Sequence, residues 1–157
     1  MAGESFEKIY SLIGQVKLAR AMPSLAIANN TGVIAYTQIP ENISAIFKKF
    51  GFAFETEPEG IEKVTAFAGC GLGFAAYIID AFAVAGEKMG FPPETAAQIA
   101  ALTFKNAAET ENFTETVKAV ATPGGVTEQG INHMDECGLY DIVAGAVQKA
   151  YERATRS

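Results

Sequence analysis

Apolar and polar positions alternate on two different periods along this chain, and the character changes after Gly60. Before that point, "ESFEKIYSLIG" places Phe6, Ile9, Tyr10 and Ile13 on one face of a helix that stops at Gly14. "VKLARAMP" reads as a short β-like run ended by Pro23, and "NNTGVIAYT" as a turn over residues 30–32 followed by a second strand. "ENISAIFKKFG" puts Ile43, Ile46, Phe47 and Phe50 on one helical face, with Gly51 as its stop. "FAFETEPEG" sets Phe52 and Phe54 against smaller or polar neighbours and predicts a third strand. The order helix, strand, strand, helix, strand describes a small α/β segment over residues 1–58, with parallel or mixed pairing.

The remainder, residues 59–157, reads as helices alone. "IEKVTAFAGCG", "FAAYIIDAFAVAGEKMG", "PPETAAQIAALTFKNAAET", "NFTETVKAVAT", "VTEQGINHMDECG" and "LYDIVAGAVQKAYERAT" each carry helical spacing, divided by Gly90, by Pro92 and Pro93, and by Gly138. The predicted fold is mainly α, a helical bundle preceded by a small α/β piece. Residues 71–86, "GLGFAAYIIDAFAVAG", are apolar nearly all round and rich in alanine and glycine. Such a helix must be buried on nearly every side, and a lone bundle offers few positions of that kind. The surplus predicts a homodimer or higher homo-oligomer with intertwined helices, the alternative being a monomer built around one central helix. Asp80 interrupts this run and is expected to form a structural hydrogen bond to a neighbouring helix.

Composition narrows the function. Of 157 residues, 49% are hydrophobic and 19% charged, enough for a packed core. A net charge of −6 gives no electrostatic footprint for nucleic acid or an anionic membrane. Residues 71–86 carry Asp80 and are too few to span a bilayer, so no membrane association is expected. The N-terminus "MAGESFEK" has no signal-peptide pattern, Cys70 and Cys137 have no CxxC partner, and a cytoplasmic location with reduced thiols follows. N-x-S/T matches at Asn29, Asn42 and Asn112 then count as chance.

The stretch "VATPGGVTEQG", residues 120–130, holds the candidate chemistry. Pro123 ends one helix and pushes Thr122 into an extended conformation. Gly124 and Gly125 permit positive φ and close approach of a ligand to the backbone. Val126 and Thr127 open the next helix, whose first N–H groups, from about Gly125 to Glu128, have no partner in the helix. Such a start is an anion site, and the hydroxyls of Thr122 and Thr127 add directional bonds. With no Lys or Arg in the stretch and Glu128 following, a small carboxylate or zwitterion suits it better than a polyphosphate. The plain alternative is a helix–helix corner with an N-cap threonine.

"TPGGVTEQGINHMDECGLYDIVAGAVQKAYERA" resembles the C-terminal signature of the pyrroline-5-carboxylate reductase family. Thr122, Pro123, Gly124, Gly125, Val126 and Thr127 match its Ser/Thr-Pro-Gly-Gly-x-Thr loop, and Cys137-Gly138 matches a later glycine pair with its first glycine replaced. "VTAFAGCGLGFAAYIIDAFAVAGEKMG" is similar to its V-T-x-L-S-G-S-G-P-A-Y segment and the acid-containing helix beyond, and "VKLARAMPS" to its R-x-M-P-N-T-P strand end. The resemblance implies a Rossmann-type nucleotide-binding domain followed by a helical dimerisation bundle like the C-terminal domain of 6-phosphogluconate dehydrogenase. Residues 1–58 would then be the end of the first and 59–157 the second. It also implies reduction of a C=N bond to give proline or a related amino acid, using NADPH or NADH. By the same likeness, the amides of Gly125, Val126 and Thr127 hold the substrate carboxylate, with Gly124 and Thr122 supporting. The Thr127 hydroxyl meets the ring nitrogen as the catalytic contact, and Met22, Pro23 and Ser24 lie at the cofactor.

The chain also departs from that pattern. Ala68, Cys70, Leu72 and Phe74 stand where the family has serines, proline and tyrosine, and Ser24 where it has asparagine. These changes fit a divergent branch, such as the reductase-like proteins encoded with late competence genes, with a different substrate and a retained carboxylate loop. No G-x-G-x-x-G follows a strand; "GCGLGF" at 69–74 lies between predicted helices and is rejected as a dinucleotide fingerprint. These residues alone are therefore expected to bind no nicotinamide cofactor and not to turn over. The alternative function is a non-catalytic dimerisation or small-carboxylate-binding module without a nucleotide domain. His133 and Cys137 at i, i+4 read as a helix-surface pair and no metal site is expected.

Overall fold

A computed structural model describes residues 6–156. The predicted helix start at Glu4 and Ser5 lies outside the described residues. Within them the order is α1 (Phe6–Ile13), β1 (Ala21–Pro23), β2 (Gly32–Tyr36), α2 (Glu41–Phe47), β3 (Gly51–Glu55), α3 (Pro58–Val64), α4 (Gly71–Lys88), α5 (Pro93–Ala108), α6 (Phe113–Val120), α7 (Val126–Glu136) and α8 (Leu139–Thr155). The mainly α architecture with a small N-terminal sheet agrees with the sequence pattern. The chain forms two compact units: the described residues up to Leu72 with those from Gly145 onward, and Gly73–Ala144.

The first unit is built on a three-stranded sheet in the order β1-β2-β3. β1 pairs antiparallel and β3 parallel with β2, in the register Ala21↔Tyr36 and Gly32↔Gly51. β2 is central, and its unbroken run Val33-Ile34-Ala35-Tyr36 is what a strand covered on both faces requires. Ile34, Ala35 and Tyr36 are buried, as is Ile61 of α3. The Tyr36 ring meets Phe47 of α2 at 5.6 Å. Just before β1, Arg20 donates to Glu62 of α3 at 2.6 Å in a largely buried ion pair that ties the strand to the helix. Two elements escaped the sequence pattern. Leu25–Asn29 is a 3-10 turn ended by Asn30 at φ 59. Thr65–Gly69 is a π-helical segment closed by the Cys70 N–H on the Thr65 carbonyl at 3.0 Å. Neither has a distinguishing apolar period, and each follows from the residues around it.

The second unit holds α4 to α7 and the start of α8. Its helices stop where glycine takes positive φ, at Gly90 (98°) and Gly138 (69°). α5 opens on Pro93. α6 opens on Asn112, whose side chain accepts the Glu115 N–H at 3.1 Å, so that residue of the N-x-T match serves as a cap. α4 and α5 come together through small residues: a Cβ on Gly86 would stand 3.2 Å from that of Ala96. Phe82 and Phe104 meet edge to face at 5.6 Å. The buried positions of these two helices are Ala83, Ala96 and Ala100, whereas Tyr77, Ile78, Phe82, Val84 and Leu102 are exposed. A helix buried at the centre of a monomer is therefore not what a single copy contains. Asp80 is exposed and has no hydrogen-bond partner among the described residues, against the structural bond expected for it. The Pro58–Lys88 helix is also longer than the sixteen-residue reading allowed. It runs through the glycines for 31 residues, and an 18-residue stretch of it reaches a mean hydropathy of 1.7, long and apolar enough by length and composition to cross a membrane.

On α8, hydrogen bonds from Lys149 and Gln148 hold the exposed Glu152 carboxyl below its ordinary range.

Gly51 has φ 136°, and a Cβ there would fall on the carbonyl oxygen of Gly32, its partner across β2 and β3. Gly51→Ala should cost about 2 kcal/mol or more, read as a lowered midpoint in urea unfolding, because both the φ angle and the strand spacing oppose it. A midpoint equal to that of the unaltered chain would refute this pairing geometry.

Candidate loop for a small carboxylate

The candidate loop lies in the second unit, between α6 and α7. The Gly125 N–H donates to the Thr122 carbonyl at 2.8 Å, closing a turn with Pro123 and Gly124 in the middle. Gly124 has φ 74°. Pro at the second position and positive-φ Gly at the third make this a type II turn. The two glycines are required for separate reasons. Gly124 supplies the dihedral, and a Cβ on it would meet nothing. Gly125 has an ordinary extended backbone, φ −78° and ψ 168°, but a Cβ on it would lie 2.8 Å from the Thr122 carbonyl oxygen.

Gly125 is the N-cap of α7, and no side chain caps the helix. The threonine cap of the plain corner reading is not there. The first intrahelical bond runs from the Gln129 N–H to the Gly125 carbonyl at 3.3 Å. The N–H groups of Val126, Thr127 and Glu128 therefore precede the hydrogen-bonded ladder, while that of Gly125 is engaged in the turn. The Thr122 and Thr127 hydroxyls are exposed and make no hydrogen bond among the described residues, and Val126 is 93% exposed. The sequence reading missed one contact: the Glu128 carboxylate reaches back to accept the Gly124 N–H at 2.7 Å. Its position three residues past the N-cap, the capping-box place for an acid, was the available signal.

Met22, Pro23 and Ser24 lie in the first unit, at the end of β1. Ser24 is buried; its N–H donates to the Val33 carbonyl at 2.9 Å and its Oγ accepts the Val33 N–H at 3.0 Å. Pro23 has no N–H, so this edge offers packing surface more than hydrogen bonds. Met22 is half-buried against the π-helical segment, where a Cβ on Gly69 would lie 2.6 Å from its methyl. Residues 69–74 continue from that segment into α4 with no strand before them, consistent with their rejection as a dinucleotide fingerprint. His133 and Cys137 do meet, Nε2 to Sγ at 3.7 Å, on the exposed surface of α7. No group of three or more metal-ligating side chains occurs among the described residues.

Helices that meet through small residues and carry large apolar side chains outward, together with an uncapped helix start behind a Pro-Gly turn, are features of a helical dimerisation domain. The family model described as pyrroline-5-carboxylate reductase dimerisation matches residues 58–157, and the chain belongs to that family. The chain is 30% identical to the pyrroline-5-carboxylate reductase of Aquifex aeolicus over 99% of its own length and 64% of the relative's. To that of a Synechocystis species it is 29% identical, covering 98% of the chain and 62% of the relative. It thus spans just under two thirds of these curated relatives. Among solved structures, the Streptococcus pyogenes reductase superposes with a TM-score of 0.88 at 25% identity, over 99% of this chain and 65% of that one. The Plasmodium falciparum reductase, solved with NADP bound, superposes at 0.87 and 21% identity over 99% of this chain and 68% of that one, a likeness of fold.

Gly124→Ala should lower stability by about 1–2 kcal/mol, since a β-carbon opposes the left-handed conformation. Gly124→Asn should lose less, because asparagine tolerates that region. Thermal melts of the two variants check the order, and equal losses would argue against the turn.

Proposed function

We propose that this chain provides the dimerisation and substrate-carboxylate functions of an NADPH- or NADH-dependent pyrroline-5-carboxylate reductase-like oxidoreductase, a cytoplasmic enzyme of proline biosynthesis that forms proline or a related amino acid. The observation that carries this reading is the start of α7. Three consecutive N–H groups, of Val126, Thr127 and Glu128, lie outside the helical ladder behind a fixed type II turn. Together with the helix dipole they suit a carboxylate. The Thr127 hydroxyl stands beside them as the donor or acceptor for a ring nitrogen, with Thr122 and the two glycines holding the turn. Because the Gly125 N–H is engaged, its contribution is steric and conformational. Amides fixed in advance orient a bound imine without reorganising when charge shifts, which is how such a loop would aid reduction.

The nicotinamide cofactor would supply the hydride. Met22 and Pro23 offer it an apolar edge, and Ser24, with its N–H donating to Val33 and its Oγ accepting from it, steadies that edge. The assembly would be a homodimer, with residues 1–58 as the end of the nucleotide-binding part and 59–157 as the dimerisation part. The exposed apolar residues of α4 form the natural contact for a second copy, and on this reading the long Pro58–Lys88 helix is an interface, outside any membrane.

Two measurements test the proposal. In an amide NMR titration with L-proline, saturable shifts should centre on Val126, Thr127 and Glu128. A spectrum that stays flat at high proline would count against the carboxylate loop. In sedimentation, the chain should run as a dimer or larger oligomer, and Ile78→Asp should shift it toward monomer by about 2 kcal/mol or more per buried charge. An unchanged profile would exclude the α4 face from the interface.

A further inference from the structure

We infer that Glu128 determines the charge specificity of the loop, selecting ligands that carry a cation beside their carboxylate over plain carboxylates. The inference rests on the proposed carboxylate role of the α7 start. Glu128 is the only charged residue between Val120 and Gly130. Its carboxylate is pinned to the loop, accepting the Gly124 N–H at 2.7 Å. It is thus held at the turn, on the last of the three residues whose N–H groups precede the helical ladder. Two consequences follow from that placement. The bond engages the Gly124 N–H, so an incoming anion finds its donors at the helix start and not in the turn. The fixed negative charge then acts on the ligand: a lone carboxylate is repelled, whereas an ammonium or iminium group next to the carboxylate is attracted. A cyclic amino acid or its imine, protonated at nitrogen, has that arrangement.

A structural role and a charge role can be separated, because glutamine keeps an oxygen that accepts from Gly124 while removing the charge. Loop amide shifts would be followed in the 157-residue chain titrated with L-proline and, separately, with cyclopentanecarboxylate, which has the same ring without the nitrogen cation. The unaltered chain should prefer proline. Glu128→Gln should narrow that preference by about three- to tenfold, chiefly by tightening cyclopentanecarboxylate, as expected for one exposed charge at short range. Added salt should narrow the preference of the unaltered chain and leave that of the variant nearly constant. Glu128→Ala should narrow it as Gln does while also releasing the Gly124 amide to faster hydrogen exchange. If both ligands bind and the preference in Glu128→Gln equals that of the unaltered chain, the inference is overturned and the carboxylate loop stands. If neither ligand shifts the loop of the unaltered chain, the carboxylate reading falls and this inference with it.

Discussion

The organisation of the helical unit depends on how closely α4 approaches α5. Gly86 against Ala96 leaves no room for a larger pair, so the interior between these helices is lined by alanine at 83, 96 and 100. This contact is local, centred on Gly86 and Ala96, and contact through small residues removes little apolar area from water. The large side chains are left on the outside, Tyr77, Ile78 and Val84 on α4 and Leu102 on α5. A pocket of about 250 Å³ lined by Phe82, Met89, Phe91 and Ile99 opens between the same helices. Contiguous apolar surface of this kind is stable in water only when something covers it, and in this family a dimerisation domain is the economical cover.

The same logic of close approach shapes the loop before α7. Gly125 has a backbone that any residue could adopt, yet a β-carbon on it would lie 2.5 Å from the Thr122 hydroxyl oxygen and 2.8 Å from the Thr122 carbonyl oxygen. Gly124 has open space and a dihedral that side chains oppose. One glycine lets the chain turn, and the other lets the helix begin directly against the turn. The donors that remain, from Val126 onward, are the ones the helix itself cannot use. Asn112 shows the contrast: at the start of α6 its side chain caps the Glu115 N–H, and the helix offers correspondingly less to a ligand.

Much of this was legible in the residues. Strands β2 and β3 announced themselves through an unbroken apolar run and an alternating one, while their parallel pairing was left open, and the helix stops at Gly14, Gly90 and Gly138 showed through residues that tolerate positive φ. The Pro-Gly-Gly turn and the start of α7 at Val126 were equally readable, because turn chemistry is local. What escaped was of another kind. "LAIAN" has no polar alternation to mark it as a 3-10 turn. The π-helical segment at Thr65–Gly69 passes against the Met22 methyl, a contact distant along the chain. Asp80 looked as though it must find a partner, an inference that held only if its helix were buried within one copy.

The sequence by itself determined the main helices and strands, their order and the position of the turn, since each depends on residues within a few places of one another, and the family through motifs spread along the chain. The tertiary structure alone decided which groups are engaged. It put the Gly125 N–H into the turn and the Glu128 carboxylate onto Gly124, buried Ser24 with its hydroxyl accepting from Val33, and left α4 exposed. Those outcomes depend on distances between atoms in a folded backbone, and residue spacing along a chain does not specify distances of a few ångströms.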